Sequence, residues 1–139
     1  MAKAIRDLMT GNPVCLDAST SIREAARKMR DNDIGDVVVE KAGKLCGIVT
    51  DRDIVVRAIA DGKDAETTNL GTICSSDIIS LSPEQTDEDA VRLMREKAIR
   101  RLPVLENGKV IGIVSLGDLA VDKDPRSVLG QVSAAAGNV

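Results

Sequence analysis

Two seven-residue stretches hold the side chains best suited to chemistry in this sequence. Gly47-Ile48-Val49-Thr50-Asp51-Arg52-Asp53 and Gly112-Ile113-Val114-Ser115-Leu116-Gly117-Asp118 each set a hydroxyl residue three positions ahead of an aspartate. A helix N-cap uses that spacing, with the hydroxyl accepting from a first-turn amide and the carboxylate lying at the positive end of the helix dipole. Unpartnered first-turn amides also hold phosphates, so two readings stand together: a pair of plain caps, or a pair of anion sites. Other chemistry is thinly supplied. The chain has no histidine, which excludes Ser-His and Cys-His nucleophile pairs and removes the commonest base and a common metal ligand. Asp51 and Asp53 alternate at a helix start and do not converge on a metal. No catalytic residue and no metal site is therefore assigned. Cys15, Cys46 and Cys74 are odd in number and lack a C-x-x-C spacing, so buried small side chains are expected rather than a disulfide framework. A functional thiol at Cys74, beside Ser75 and Ser76, is the alternative.

The elements that must position these residues are themselves repeated. Gly47 to Asp53 returns as Gly112 to Asp118, 65 residues on, and the register holds upstream without a gap. Ala25, Arg27, Met29 and Arg30 match Ala90, Arg92, Met94 and Arg95, and Gly43-Lys44 matches Gly108-Lys109. Each copy reads as strand, helix, strand, strand, helix. Ser21-Ile22-Arg23-Glu24 has capping-box spacing and starts a helix whose Ile22, Ala25, Ala26 and Met29 share one face. Thr86-Asp87-Glu88-Asp89 is an imperfect counterpart, followed by Ala90, Val91 and Met94 on the buried side. Val37-Val38-Val39 and Leu45 to Val49 flank a turn at Lys41-Ala42-Gly43. In the second copy Leu102 to Leu105 and Val110 to Val114 flank Asn107-Gly108, a strong hairpin signal. Sequence order then divides the chain into a first unit over 1–60, a polar linker over 61–69, a second unit over 70–123 and a flexible tail over 124–139.

Composition narrows the partners. The net charge is −3 and there is no Phe, Trp or Tyr, so neither a basic surface nor stacking platforms for nucleic acid are present. No apolar run approaches the roughly 18 residues of a membrane span. The start turns charged before a signal-peptide core can form, so a cytoplasmic location is expected.

A strand-helix-strand-strand-helix unit in tandem, each copy ending Gly-hydrophobic-hydrophobic-(Thr/Ser)-x-x-Asp, resembles the CBS domain, named after cystathionine β-synthase. The pair resembles a Bateman module over about residues 5–122. The resemblance implies an α/β (α+β) fold of two units packed with pseudo-twofold symmetry, and clefts that hold AMP, ADP, ATP or another adenosyl compound. Asp53 and Asp118 match the family carboxylate that accepts from ribose hydroxyls. Thr50 and Ser115 match the hydroxyls that meet phosphate. Arg100-Arg101-Leu102-Pro103 matches the family's basic residues before a hydrophobic-Pro step, and two guanidinium groups can clamp a phosphate through paired hydrogen bonds. The first copy has Gly35-Asp36-Val37-Val38 there, without the basic pair or the proline. The stronger site is thus expected at Arg100, Arg101, Pro103, Ser115 and Asp118, and the Thr50–Asp53 site is weaker, vacant, or holds something less anionic, unless Arg52 turns inward. The implied function is a regulatory sensor that needs no cofactor, takes an adenine nucleotide as ligand, forms a homodimer and acts on an effector protein of unknown identity. The alternative is an assembly protein with degenerate sites, and an enzyme ranks third.

Overall fold

Local chemistry explains each hairpin. The computed structural model describes residues 2–74 and 79–135. After a 3-10 turn at Ile5–Asp7, the first half runs β1 (Thr10–Gly11), β2 (Cys15–Asp17), α1 (Ile22–Asn32), β3 (Asp36–Lys41), β4 (Lys44–Thr50) and α2 (Asp51–Asp53), which continues as a π-helical stretch, Ile54–Ile59. The second half runs α3 (Leu70–Ile73), α4 (Asp87–Lys97), β5 (Arg101–Glu106), β6 (Lys109–Ser115), α5 (Leu116–Lys123) and α6 (Val128–Ala134). Between β3 and β4 the loop is Ala42-Gly43, with φ of 53° and 77°; between β5 and β6 it is Asn107-Gly108, with φ of 54° and 80°. Positive φ at both central residues is the two-residue type I′ loop, whose twist suits antiparallel strands. Lys41 belongs to β3, so the first turn is one residue shorter than its sequence suggests.

Two capping boxes reverse the sequence expectation. Ser21 Oγ accepts from the Glu24 amide at 3.2 Å, but the Glu24 carboxylate lies 3.6 Å from Arg27 instead of returning to the cap. At the counterpart read as imperfect, Thr86 Oγ1 accepts from the Asp89 amide and the Asp89 carboxylate accepts from the Thr86 amide at 3.0 Å, completing the box. The buried stripe of each helix is narrower than expected. Ile22, Ala25 and Met29 are buried and so are Ala90 and Met94, whereas Ala26 and Val91 are exposed.

Space groups the chain differently from sequence order. Among the described residues, 14–74 form one unit, and 2–13 join 79–135 in the other. The first unit holds the sheet β2-β3-β4, with β2 parallel to β3; the second holds β1-β6-β5, all antiparallel. The leading segments are exchanged. Leu70 and Ile73 open the second repeat yet lie in the core of the first unit, while Ile5 opens the first repeat and lies in the core of the second. The bridges Ser21 to Asn69 and Thr86 to Ala4 are equivalent under the 65-residue offset. Residues 61–69 are also tied down. The Thr68 carbonyl accepts from the Ile22 amide at 3.0 Å and the Ala65 carbonyl from the Arg23 amide at 3.1 Å, which satisfies two orphan donors of α1.

The tail expected to be flexible contains α6. Ser127 caps it, accepting from the Gly130 amide at 2.9 Å, and the helix packs on α5. Residues 136–139 of the tail, and Ser75 and Ser76, lie outside the described residues.

Candidate functional site

In the second unit the ladder itself brings the predicted residues together. Arg101, the first residue of β5, pairs with Ser115, the last residue of β6. The Arg100 carbonyl accepts from the Leu116 amide at 2.8 Å. Ser115 Oγ accepts from the Asp118 amide at 3.1 Å, and Asp118 Oδ2 accepts from the Ser115 amide at 2.9 Å. Because Ser115 Oγ acts there as an acceptor, its own O–H is left to donate outward. Asp118 Oδ1 and the Gly117 amide have no partner among the described residues. Arg100 is exposed and Arg101 half-buried.

Pro103 is buried in β5, and its effect is on the backbone. In the first unit Val38, at the equivalent place, donates its amide to the Val14 carbonyl at 2.8 Å. Proline has no such donor. The three-residue pairing of β2 with β3 is accordingly reduced in the second unit to one bridge between Leu81 and Val104.

The first unit builds the same frame with different charges. Asp36 pairs with Thr50, and the Gly35 carbonyl accepts from the Asp51 amide at 3.0 Å. Thr50 Oγ1 accepts from the Asp53 amide at 3.1 Å, and Asp53 Oδ2 accepts from the Thr50 amide at 2.9 Å. Here Asp51 Oδ1 also accepts from the Arg52 amide at 2.8 Å. All three first-turn amides are thereby occupied from within, by one carbonyl, one carboxylate and one hydroxyl. Arg52 is exposed. The cation near Asp53 is Arg57, whose Nε lies 3.7 Å from Asp53 Oδ1 and whose Nη1 donates to the Ile73 carbonyl at 3.2 Å. The helical i,i+4 spacing of Asp53 and Arg57 was the signal for this pair.

Asp122 stands 65 positions after Arg57 and is ion-paired with Lys3. Beside it, Asp87 is 2% exposed, with Oδ2 2.9 Å from Lys123 Nζ and Oδ1 accepting from the Glu88 amide at 2.8 Å. The Lys123 ammonium holds the Asp87 carboxyl below the usual carboxylate range, outweighing burial. At the equivalent places the first unit has Ile22 and Ala58, both in its core. Comparing the copies position by position reveals that exchange of two apolar residues for an ion pair. Ser133 was missed as well: a Cβ built on Gly117 would meet its Oγ at 2.9 Å, so the absent side chain lets α6 approach the start of α5. Among the described residues no group of three His, Cys, Asp or Glu side chains is placed to hold a metal ion, and no helix is long and apolar enough to cross a membrane.

Two mixed α+β units, each ending a hairpin in a capping box, define a tandem CBS-domain protein. The CBS domain family matches residues 5–59 and 70–121, and the chain belongs to that family. It is 38% identical over 120 residues to the CBS domain-containing protein YhcV of Bacillus subtilis, covering 86% of this chain and 85% of that one. Among solved structures it is similar to Hypoxic Response Protein I with two coordinated zinc ions, with TM-score 0.78, 30% identity, and coverage of 85% of this chain and 97% of the other. A hexameric CBS-CP12 protein from bloom-forming cyanobacteria is also similar, with TM-score 0.80, 29% identity, and coverage of 90% and 74%.

Proposed function

We propose that this CBS pair is a regulatory module in the cytoplasm that binds an adenosyl ligand, with its main phosphate contacts at Arg100, Arg101 and Ser115 and its ribose contact at Asp118. One observation carries the reading. In the second unit a first-turn amide without a partner among the described residues, that of Gly117, sits beside a hydroxyl with an O–H to donate and a strand-end arginine, the donor set a phosphate takes. One oxygen of Asp118 is engaged by its cap and the other is open to a ribose hydroxyl. Binding changes the module's shape or its contacts with an effector protein, and no step of catalysis is assigned to it.

Thermal unfolding of the full chain with AMP, ADP, ATP and S-adenosylmethionine tests the proposal. Ligand at a hundred times its Kd adds about 2.7 kcal/mol, a shift of several degrees for a domain of this size. The Arg100→Ala/Arg101→Ala variant loses that shift for the phosphorylated ligands. A wild-type chain unmoved by all four compounds, or a double variant that binds them as before, overturns it.

Self-association is supported by a separate observation. Val128, Leu129 and Val132 of α6 are 81%, 46% and 59% exposed on one short helix, and the similar CBS-CP12 protein is hexameric. Sedimentation of the wild type against Val128→Lys/Val132→Lys gives a lighter species for the variant if α6 forms the contact.

A further inference from the structure

The repeats differ at one more pair of equivalent positions. Each hairpin ladder skips a residue: Val39 faces Gly47 and Glu40 faces Leu45, leaving Cys46 as the extra residue of a bulge; Val104 faces Gly112 and Leu105 faces Val110, leaving Ile111. A bulge re-aims the side chain it carries. Ile111 and Met9 both pack against the core of the second unit. The residues 65 positions after Met9 and before Ile111 are Cys74 and Cys46, and both pack against the core of the first unit. A thioether and a hydrocarbon side chain, neither able to form a disulfide, thus stand in one unit where two thiols stand in the other. The segment that Cys74 ends, α3, packs on β4, which carries Cys46; Cys46 is near enough to oppose ionisation of Cys74, and both are free thiols. Cys74 ends α3, its amide held by the Leu70 carbonyl at 3.0 Å, and Cys46 lies in β4.

The geometry points to Cys46 and Cys74 as an oxidisable dithiol, a modification site at which a peroxide converts the pair into a disulfide within one chain. In the first step the Cys46 thiolate attacks one peroxide oxygen, the O–O bond breaks, and the departing hydroxide takes up a proton as water, leaving Cys46 a sulfenic acid. In the second step the Cys74 thiolate attacks that sulfur, the S–O bond breaks with loss of a second water, and the S–S bond forms. Two thiols give up two electrons and two protons in total, and hydrogen peroxide is reduced to two waters. The order follows from the surroundings. Burial first, and then the adjoining Cys46 thiol, push the Cys74 thiol up to about 12, so Cys74 is the poor first nucleophile. The bond would fasten the exchanged segment α3 to β4 beside Asp53 and Arg57, whose charges both act on Cys74.

Peptide mapping tests this on the full chain, because trypsin leaves the three cysteines on three peptides: 7–23, 45–52 and 64–92. After treatment with equimolar hydrogen peroxide and alkylation of the remaining thiols, peptide 45–52 is expected joined to 64–92, two hydrogens lighter than the sum of the pair, in at least about half of the chains. Dithiothreitol removes the link. Cys15→Ser keeps it, and Cys46→Ser and Cys74→Ser each abolish it. The inference is overturned if both peptides are still fully alkylated, if each carries sulfinic acid without a link, or if the links join separate chains. The wild-type map decides the matter even if a serine variant fails to fold.

Discussion

At the end of their hairpins the two units set one frame and fill it with opposite charges. Both pair a strand-start residue with a hydroxyl cap, Asp36 with Thr50 and Arg101 with Ser115, and both close the cap with an aspartate. The frame is the same because it satisfies helix-end donors, a requirement any buried turn must meet. The first unit then gives its remaining amide to Asp51 and sets Arg57 by Asp53, while the second has Leu116 and Asp122 there and, among the described residues, has no partner for the Gly117 amide. On the proposed function, the shared motif marks where a ligand would sit, and the residues flanking it would decide what charge is tolerated. The cores tell a parallel story. Asp87 and Lys123 stand where Ile22 and Ala58 pack, and the acid is kept charged by the lysine beside it.

The comparison can be broken at several points. Truncating the exchanged anchors should have the largest effect: Leu70→Ala and Ile5→Ala, both removing fully buried side chains, should each cost about 2–5 kcal/mol in chemical denaturation. A loss well below that for either one would mean its segment does not anchor the unit to which it is assigned. Next, the charge difference should be transferable. Asp36→Arg with Asp51→Leu in the first unit should raise its affinity for a nucleoside phosphate about tenfold, equivalent to about 1.4 kcal/mol, read by calorimetry in the Arg100→Ala/Arg101→Ala background. Removing the caps should be milder, with Thr50→Ala and Ser115→Ala each losing about 1 kcal/mol of stability and only Ser115→Ala also weakening nucleotide binding.

The smallest effect concerns pH. Since the folded Asp87 carboxyl is held below its ordinary value, its contribution is present above the unfolded carboxylate value of about 3.9 and is lost as pH falls through the lower folded value. Melting temperature should drop progressively as pH falls from about 5 through the carboxylate range. Replacing the pair by the residues of the first unit, Asp87→Ile with Lys123→Ala, should shrink that drop while leaving stability at pH 7 about unchanged, as apolar replacement of buried ion pairs often does. Lys123→Ala alone, leaving the acid buried without its partner, should lower the neutral-pH melting temperature instead.

Much of this is legible in the sequence. The hairpin turns, the helix starts and the hydroxyl-x-x-aspartate boxes depend on interactions within four residues, and the repeat exposed each of them twice. The exposure of Ala26 and Val91 was not legible, because helical spacing defines a stripe while the width of the opposing sheet decides how much of it is covered. Arg57 and Ser133 escaped for different reasons. Arg57 lay at an i,i+4 spacing that was available to read, whereas Ser133 reaches Gly117 only because α6 folds back on α5.

The sequence by itself determined the duplicated unit, the caps and the asymmetry between Gly35-Asp36 and Arg100-Arg101, since these rest on residue type and short-range backbone geometry. Only the tertiary structure decided that the opening segments of the repeats are exchanged, that Asp87 is buried against Lys123, and that Cys46 and Cys74 pack against one core. Each of those joins residues far apart along the chain, where the gain is burial of side-chain surface and no local spacing records which surface will do the burying.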